Sequence, residues 1–275
     1  MNPLTLSASA DAAPFLRSRW EPAEVTLAQA AALLPPLAVV LVAGGGPQAL
    51  LLATSLAVTF FWETLFALLR GRAWSWHGVT TALVVAVMVP AGAPLWQLAL
   101  ALSLGVVLGE LIFGGRGFGF LAAGVVALAF LRFSFAAIPF AGDSDAVAMA
   151  TLPGAALLLY LRLISWRVAL AAILSFAAAS LAAGQPLDPA ATGASLAFGL
   201  FFLICDPFGA ASTNAGRWLY GALAGGLAVA FDTAPGAAVA PEAIVFAALL
   251  ASIFAPLLDH AAVLVIARIR RRRHG

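Results

Sequence analysis

Apolar runs separated by short stretches of Gly, Pro, Asn and Asp repeat along nearly the whole chain. The breaks divide it into ten predicted helices, at about 27–44, 48–69, 78–91, 93–113, 118–137, 146–161, 168–184, 190–205, 217–231 and 242–267. A full crossing of a bilayer takes about 20 apolar residues, so the third, eighth and ninth are short. "VMVPAGAP" and "CDPFGAASTNAG" interrupt the pattern with Pro and Gly, which predicts broken or tilted helices.

The blocks 80–131 and 194–231 resemble each other: a small-residue and Leu/Val run, a proline break, then a second Gly/Ala-rich run. Two five-helix repeats of opposite orientation follow from that likeness, at about 26–137 and 146–267. Generic similarity between any two apolar helices is the competing explanation. The predicted fold class is an all-α integral membrane protein, with one membrane domain at 26–268 between an N-terminal segment, 1–25, and a basic tail, 269–275.

Composition supports the bilayer. Of the 275 residues 63% are apolar and 9% charged, with mean hydropathy +1.04, against about 45–50% and 25% in a soluble domain. The first 25 residues hold Arg17 and Arg19 but no apolar core before a small-residue cleavage site, so no removable signal peptide is expected and Met1 is expected to stay. One cysteine, Cys205, excludes an intramolecular disulfide and any cysteine-built zinc or iron–sulfur cage made by this chain alone.

Charge then sets orientation. The pI of 9.3 does not point to nucleic acid, because the basic residues, all fourteen of them arginine, sit at helix ends. Ten crossings place Arg17, Arg19, Arg70, Arg72, Arg116, Arg162, Arg167, Arg217 and the tail Arg268 to Arg273 on one side, leaving only Arg132 outside. By the positive-inside rule both termini are expected in the cytoplasm of a bacterial inner membrane. The outer loops are neutral or acidic, among them "FAGDSDA", "GQPLDPA" and "DTAPGAAVAPE". Trp74, Trp76, Trp96, Trp166 and Trp218 fall at span ends and read as an interfacial belt rather than as cofactor stackers. "GGRGFG", 114–119, has no strand before it and reads as a flexible cytoplasmic turn, not a phosphate loop.

Ionisable groups inside spans cost roughly 2.5–3.5 kcal/mol on insertion scales and are candidates for ion or proton paths. Glu63, Glu110, Asp259 and His260 qualify; each has the alternative of capping a helix or pairing with an inner arginine. Asp206, Ser212, Thr213 and Asn214 bring hydrogen-bonding groups to a Pro/Gly break at membrane depth, either as a site or with Thr213 or Asn214 as a helix N-cap. Thr151, about one and a half turns inside the outer face, is either an ordinary helix threonine or a hydroxyl with a task.

"LICDPFGAASTNAGRWLYGALAGG" and "DAVAMATLPG" resemble the membrane subunit shared by the Na⁺-translocating NADH:quinone reductase (its B subunit) and the Rnf ferredoxin:NAD⁺ reductase (its D subunit). Asp206, Pro207, Thr213, Gly216, Arg217, Tyr220 and Gly221 occupy the places of that family's late motif, and "WHGVTTALVVAVMVP", "IFGGRGFGFLAAGVVALAFLRFSF" and "FAPLLDHAAV" are similar to its other segments. The likeness runs over roughly 25–268. It implies FMN joined by a phosphoester to the threonine of D-x-x-S-G-A-T, attached by a flavin transferase. Aligned on Asp145, Thr151 is the acceptor, with Ala148 and Met149 at the places of the serine and glycine. The region tied to a second, non-covalent flavin such as riboflavin reads "GFGFLAAG" here, without its Asn and Pro.

The function expected from this likeness is a flavin-carrying membrane subunit that passes electrons between partner redox subunits or quinone, with coupled Na⁺ or H⁺ movement. The chemistry would belong to the flavin, the positioning to the protein. Asp206, Thr213 and Asn214 would shape the inner half of the path. A small-solute channel or transporter on the same scaffold is the alternative, motivated by the Gly- and Ala-rich helices; a scaffold subunit without cofactor is a third reading.

Overall fold

The structure is a computed structural model that describes residues 22–71, 76–141, 144–184, 196–232 and 240–274. Arg17, Arg19, Arg72, Trp74, most of the segment 1–25 and most of the loops "GQPLDPA" and "DTAPGAAVAPE" lie outside the described residues. Among those described, every regular element is helical.

Helix α1, Pro22–Arg70, contains both of the first two predicted spans. At Gly45 the backbone leaves helical geometry for φ 58° and ψ −141°, a conformation glycine adopts without the Cβ clash. The chain folds back there. Thr26 Oγ1 lies 2.6 Å from His77 Nδ1 and Glu63 Oε1 accepts a 2.6 Å bond from Gly78 N–H, so residues on either side of Gly45 reach neighbouring positions. A straight helix rising about 1.5 Å per residue would hold residues 26 and 63 more than 50 Å apart. Two predicted crossings are therefore two arms of one hairpin.

The other predicted spans become α2 Gly78–Met88, α3 Leu95–Val106 with a π turn Val107–Leu111, α4 Ala123–Ser134, α5 Asp145–Tyr160, α6 Trp166–Ala182, a π stretch Gly199–Ile204, α7 Asn214–Phe231 and α8 Pro241–His274. Ala23–Arg70 and Pro241–Val265 are long and apolar enough to cross a membrane. Of the three spans predicted short, the third is short here too; the ninth becomes α7, 18 residues long, and the eighth begins outside the described residues. α2 has 11 residues, and all but Val79 are buried, as expected of a helix that is apolar all round and enclosed by others.

The helices pack as neighbours: α2 on α1, the first arm of α1 on α5, α3 on α4, α6 on α7, and α7 and α4 on α8. Polar contacts tie the ends of this bundle. At one end Arg132 pairs with Glu242 at 3.8 Å and donates to the carbonyls of Ala136 and Ile138. Phe140 N–H donates to Glu242 at 3.1 Å and Gln48 Nε2 to the carbonyls of Ala86 and Val89. Arg132, the exception to the arginine bias, is thus matched by a carboxylate at its own end. Trp76, Trp96, Trp166 and Trp218 are all exposed, in keeping with anchors.

Candidate functional site

At the opposite end the polar side chains gather around Arg116. Its side chain is 8% exposed and Asp206's is 9%, with Nη2 4.0 Å from Asp206 Oδ1. The guanidinium also donates to the His77 carbonyl at 3.1 Å, to Thr80 Oγ1 and to Gln29 Oε1. Its far face lies over the Phe208 ring, 4.6 Å from the centroid. Gln29 is oriented by this pairing: its oxygen faces the arginine and its Nε2 donates to Asp206 Oδ1 at 3.2 Å.

"GGRGFG" is therefore not a flexible turn. Gly114, Gly115 and Gly117 take positive φ and let the loop bend sharply enough to turn Arg116 inward. Asp206 closes its own turn, its Oδ2 accepting the N–H groups of Phe208 and Gly209 at 3.1 Å each. Arg116, Asp206, Gln29, Thr80, Glu110 and Phe208 line a cavity of about 40 Å³, room for two or three waters at about 10–15 Å³ each. A buried cation paired with one carboxylate, on a cavity that a second carboxylate also lines, is an arrangement that can hold and pass a proton or a small cation.

His77 stands at the edge of this cluster, ahead of α2. Burial, and then the Arg116 charge, hold its imidazole down at about 4 from 6.5, so it is neutral at neutral pH. Glu63 caps α2 through Gly78 N–H; of the two roles open to Glu63, the structure displays the cap.

Asp259 forms a second cluster. It accepts from Ser212 N–H at 2.7 Å, Ser212 Oγ at 2.9 Å, Thr213 N–H at 2.9 Å and Thr213 Oγ1 at 2.5 Å. Thr213, not Asn214, is the N-cap of α7, its Oγ1 accepting from Gly216 N–H at 3.0 Å. The approach is so close that a Cβ on residue 216 would stand 2.1 Å from Asp259 Oδ1. Thr213, Gly216 and Asp259 are one contact, and Asp259 acts there as a clamp between α8 and the start of α7. His260 is exposed, outside that clamp, and Asn214 Oδ1 instead accepts from Arg167 Nη1 at 3.0 Å.

Thr151 lies on neither cluster. Its side chain is fully enclosed (0% exposed) and its hydroxyl donates to the Val147 carbonyl one turn back at 2.7 Å. Asp145 opens α5, one residue after the N-cap Ser144, whose Oγ accepts from Val147 N–H at 3.3 Å. α5 presses on α1 so closely that a Cβ at Gly154 would lie 2.1 Å from the Ala32 carbonyl oxygen. In this arrangement a covalent FMN does not fit at Thr151, because the acceptor oxygen has no free approach. Asp145, Ala146, Met149, Leu152 and Pro153 are exposed in that stretch.

Sequence reasoning missed Arg116, Gln29 and His77. A signal was present: a glutamine inside an apolar span is costly unless it has a partner.

The family model described as NQR2, RnfD, RnfE matches residues 9–152 and 140–266. Among curated proteins, the B subunit of the Na(+)-translocating NADH-quinone reductase of Pseudomonas paraeruginosa is 32% identical over 275 residues, a match covering 80% of this chain and 67% of that protein. The corresponding protein of Chromohalobacter salexigens is 32% identical, with 78% and 65% covered, and that of Stutzerimonas stutzeri 30% identical, with 78% and 67% covered. The chain spans about two thirds of the length of these relatives.

Proposed function

The chain belongs to the NQR2, RnfD, RnfE family, and from that premise we propose that it is a membrane subunit of a redox-driven electron-transport complex of the quinone-reductase kind. The observation that carries the reading is the Arg116–Asp206 cluster, with Glu110 on the same cavity, placed at one end of a bundle whose sequence matches that family over nearly its full length. In this reading the cluster takes up and passes the proton or cation that accompanies electron movement. Other membrane and redox subunits, and quinone, are its partners. The bundle sits in a bacterial inner membrane with both termini and the Arg116 end on the cytoplasmic side. The two halves are read as inverted repeats, a reading supported by α3 packing on α1 and α4 as α7 packs on α6 and α8.

Asp145, Ala150 and Thr151 keep their places in the acceptor motif, so Thr151 is proposed as the attachment point for FMN, reached when the first turns of α5 part from their neighbours. Co-expression with a flavin transferase is expected to give a weakly fluorescent band on a denaturing gel. A148S/M149G is expected to strengthen it and Thr151→Val to abolish it; a dark band from both the native chain and A148S/M149G refutes attachment there.

A solute channel is the second reading, and it needs a continuous path through the bundle. The deciding experiment is purification from native membranes. The expected result is co-purification with flavin- or iron–sulfur-bearing subunits and donor-driven reduction of a quinone analogue. Glu110→Gln is expected to slow the coupled proton or cation uptake tenfold or more while the complex still assembles. A chain that purifies alone, or one whose only activity is solute uptake indifferent to Glu110→Gln, overturns the proposal.

A further inference from the structure

Away from the Arg116 cavity, the end of α5, the start of α6 and the first turn of α7 enclose an open groove of about 550 Å³ lined by Arg162, Ser165, Trp166, Arg167 and Arg217. Among the described residues none of its three guanidinium groups is in an ion pair, and that of Arg167 lies over the Trp166 ring, 5.2 Å from the centroid. The ion pairs among the described residues are Arg116–Asp206 and Arg132–Glu242, and neither belongs to the groove. The groove's own hydrogen bonds go to neutral acceptors: Arg167 Nη1 to Asn214 Oδ1 at 3.0 Å and Arg217 Nε to the Ala211 carbonyl at 3.2 Å. They fix where the cations point without cancelling their charge.

Further observations mark the groove. Ser165, the N-cap of α6, has its Oγ shut off from solvent and without a hydrogen-bond partner among the described residues. Ser165 also leaves α6 without a side-chain cap, so the first N–H groups and the positive end of a 17-residue helix face the groove. Arg162 holds φ 58°, a left-handed conformation that costs an arginine about 1 kcal/mol or more and that glycine would adopt freely. Trp166 and Trp218 stand edge to face at 5.9 Å beside it, both exposed, and paired indoles of this kind mark the depth of lipid headgroups.

We propose that this groove binds the phosphate of an anionic phospholipid headgroup, with Arg162, Arg167 and Arg217 as its counter-charges. The depth set by the indoles favours a lipid over an acidic segment of a partner protein, and the shared chemistry of a free phosphate is separated by experiment. The inference needs only membrane insertion, so it stands or falls apart from the electron-transport reading.

The test uses the full chain in nanodiscs of phosphatidylcholine with phosphatidylglycerol titrated in, read by native mass spectrometry of retained lipid. Each arginine near an anionic surface is worth about fivefold in affinity, so Arg217→Gln is expected to weaken phosphatidylglycerol retention about fivefold. Arg162→Asn, whose replacement tolerates the left-handed backbone, is expected to do the same with an unchanged melting midpoint in phosphatidylcholine alone. The double variant should approach a 25-fold loss, about fivefold for each arginine removed. Equal retention of the two lipids by the native chain, or undiminished retention in R162N/R217Q, overturns the proposal. So does stabilisation by millimolar inorganic phosphate without any effect of phosphatidylglycerol, or loss of a partner subunit in R162N with lipid retention intact.

Discussion

Replacing Asp206 by Asn keeps the shape of the side chain and removes its charge. The turn can survive, because an amide oxygen still accepts from Phe208 and Gly209 N–H as Oδ2 does. The amide nitrogen must then face Gln29 Nε2 and the Arg116 guanidinium, donor against donor, where Oδ1 now stands. Two unit charges 4.0 Å apart attract by about 4 kcal/mol at an effective dielectric of 20. Burial offsets part of that gain, but removing one partner leaves an enclosed cation and costs about 3–5 kcal/mol. Arg116→Gln should cost less, about 2 kcal/mol, since Asp206 keeps its two backbone donors.

The double variant R116Q/D206N then restores neutrality, and its loss should fall short of the sum of the two by about 2 kcal/mol. Unfolding by SDS titration of the detergent-solubilised chain, followed by tryptophan fluorescence, measures all three. Additivity within about 0.5 kcal/mol would refute the reasoning; Arg116 and Asp206 would then be two solvated groups that happen to be near one another.

Two more predictions rest on neighbouring contacts. His77 is held neutral with a folded value near 4, below its ordinary 6.5. Between those values the unfolded chain binds the extra proton, so stability should fall as pH drops from about 6.5 towards 4 and be level above. His77→Gln should flatten that part of a melting-midpoint profile, and an unchanged slope would show that other groups carry it. Asp259→Asn should lower the melting midpoint, because it replaces an acceptor of up to four bonds with one donor and one acceptor. A double cycle with Thr213→Val should then show coupling, as the two side chains share one contact.

The positions of the helices were legible because what sets them is local: apolar runs long enough to bury, and Pro or Gly where they stop. "VMVPAGAP" foretold a short helix, and α2 stops at it after 11 residues, whereas "CDPFGAASTNAG" is followed by the 18 residues of α7. Arg132, the one arginine outside the predicted bias, proved to have Glu242 for a partner. The site was not legible in the same way. Arg116 reads as a loop residue between glycines, yet its partners Thr80, Gln29 and Asp206 come from α2, the first arm of α1 and the turn before α7. No window of sequence contains that juxtaposition. Asp259 and the Thr213-to-Gly216 motif likewise stand 46 residues apart at their closest hydrogen bond and look like two signatures, although one carboxylate fills the space that Gly216 leaves empty. Thr151 is the opposite case. Its residue type and depth suit an acceptor of FMN, but whether a helix threonine points outward or bonds its own carbonyl is decided by what α5 packs against, and α1 closes that face.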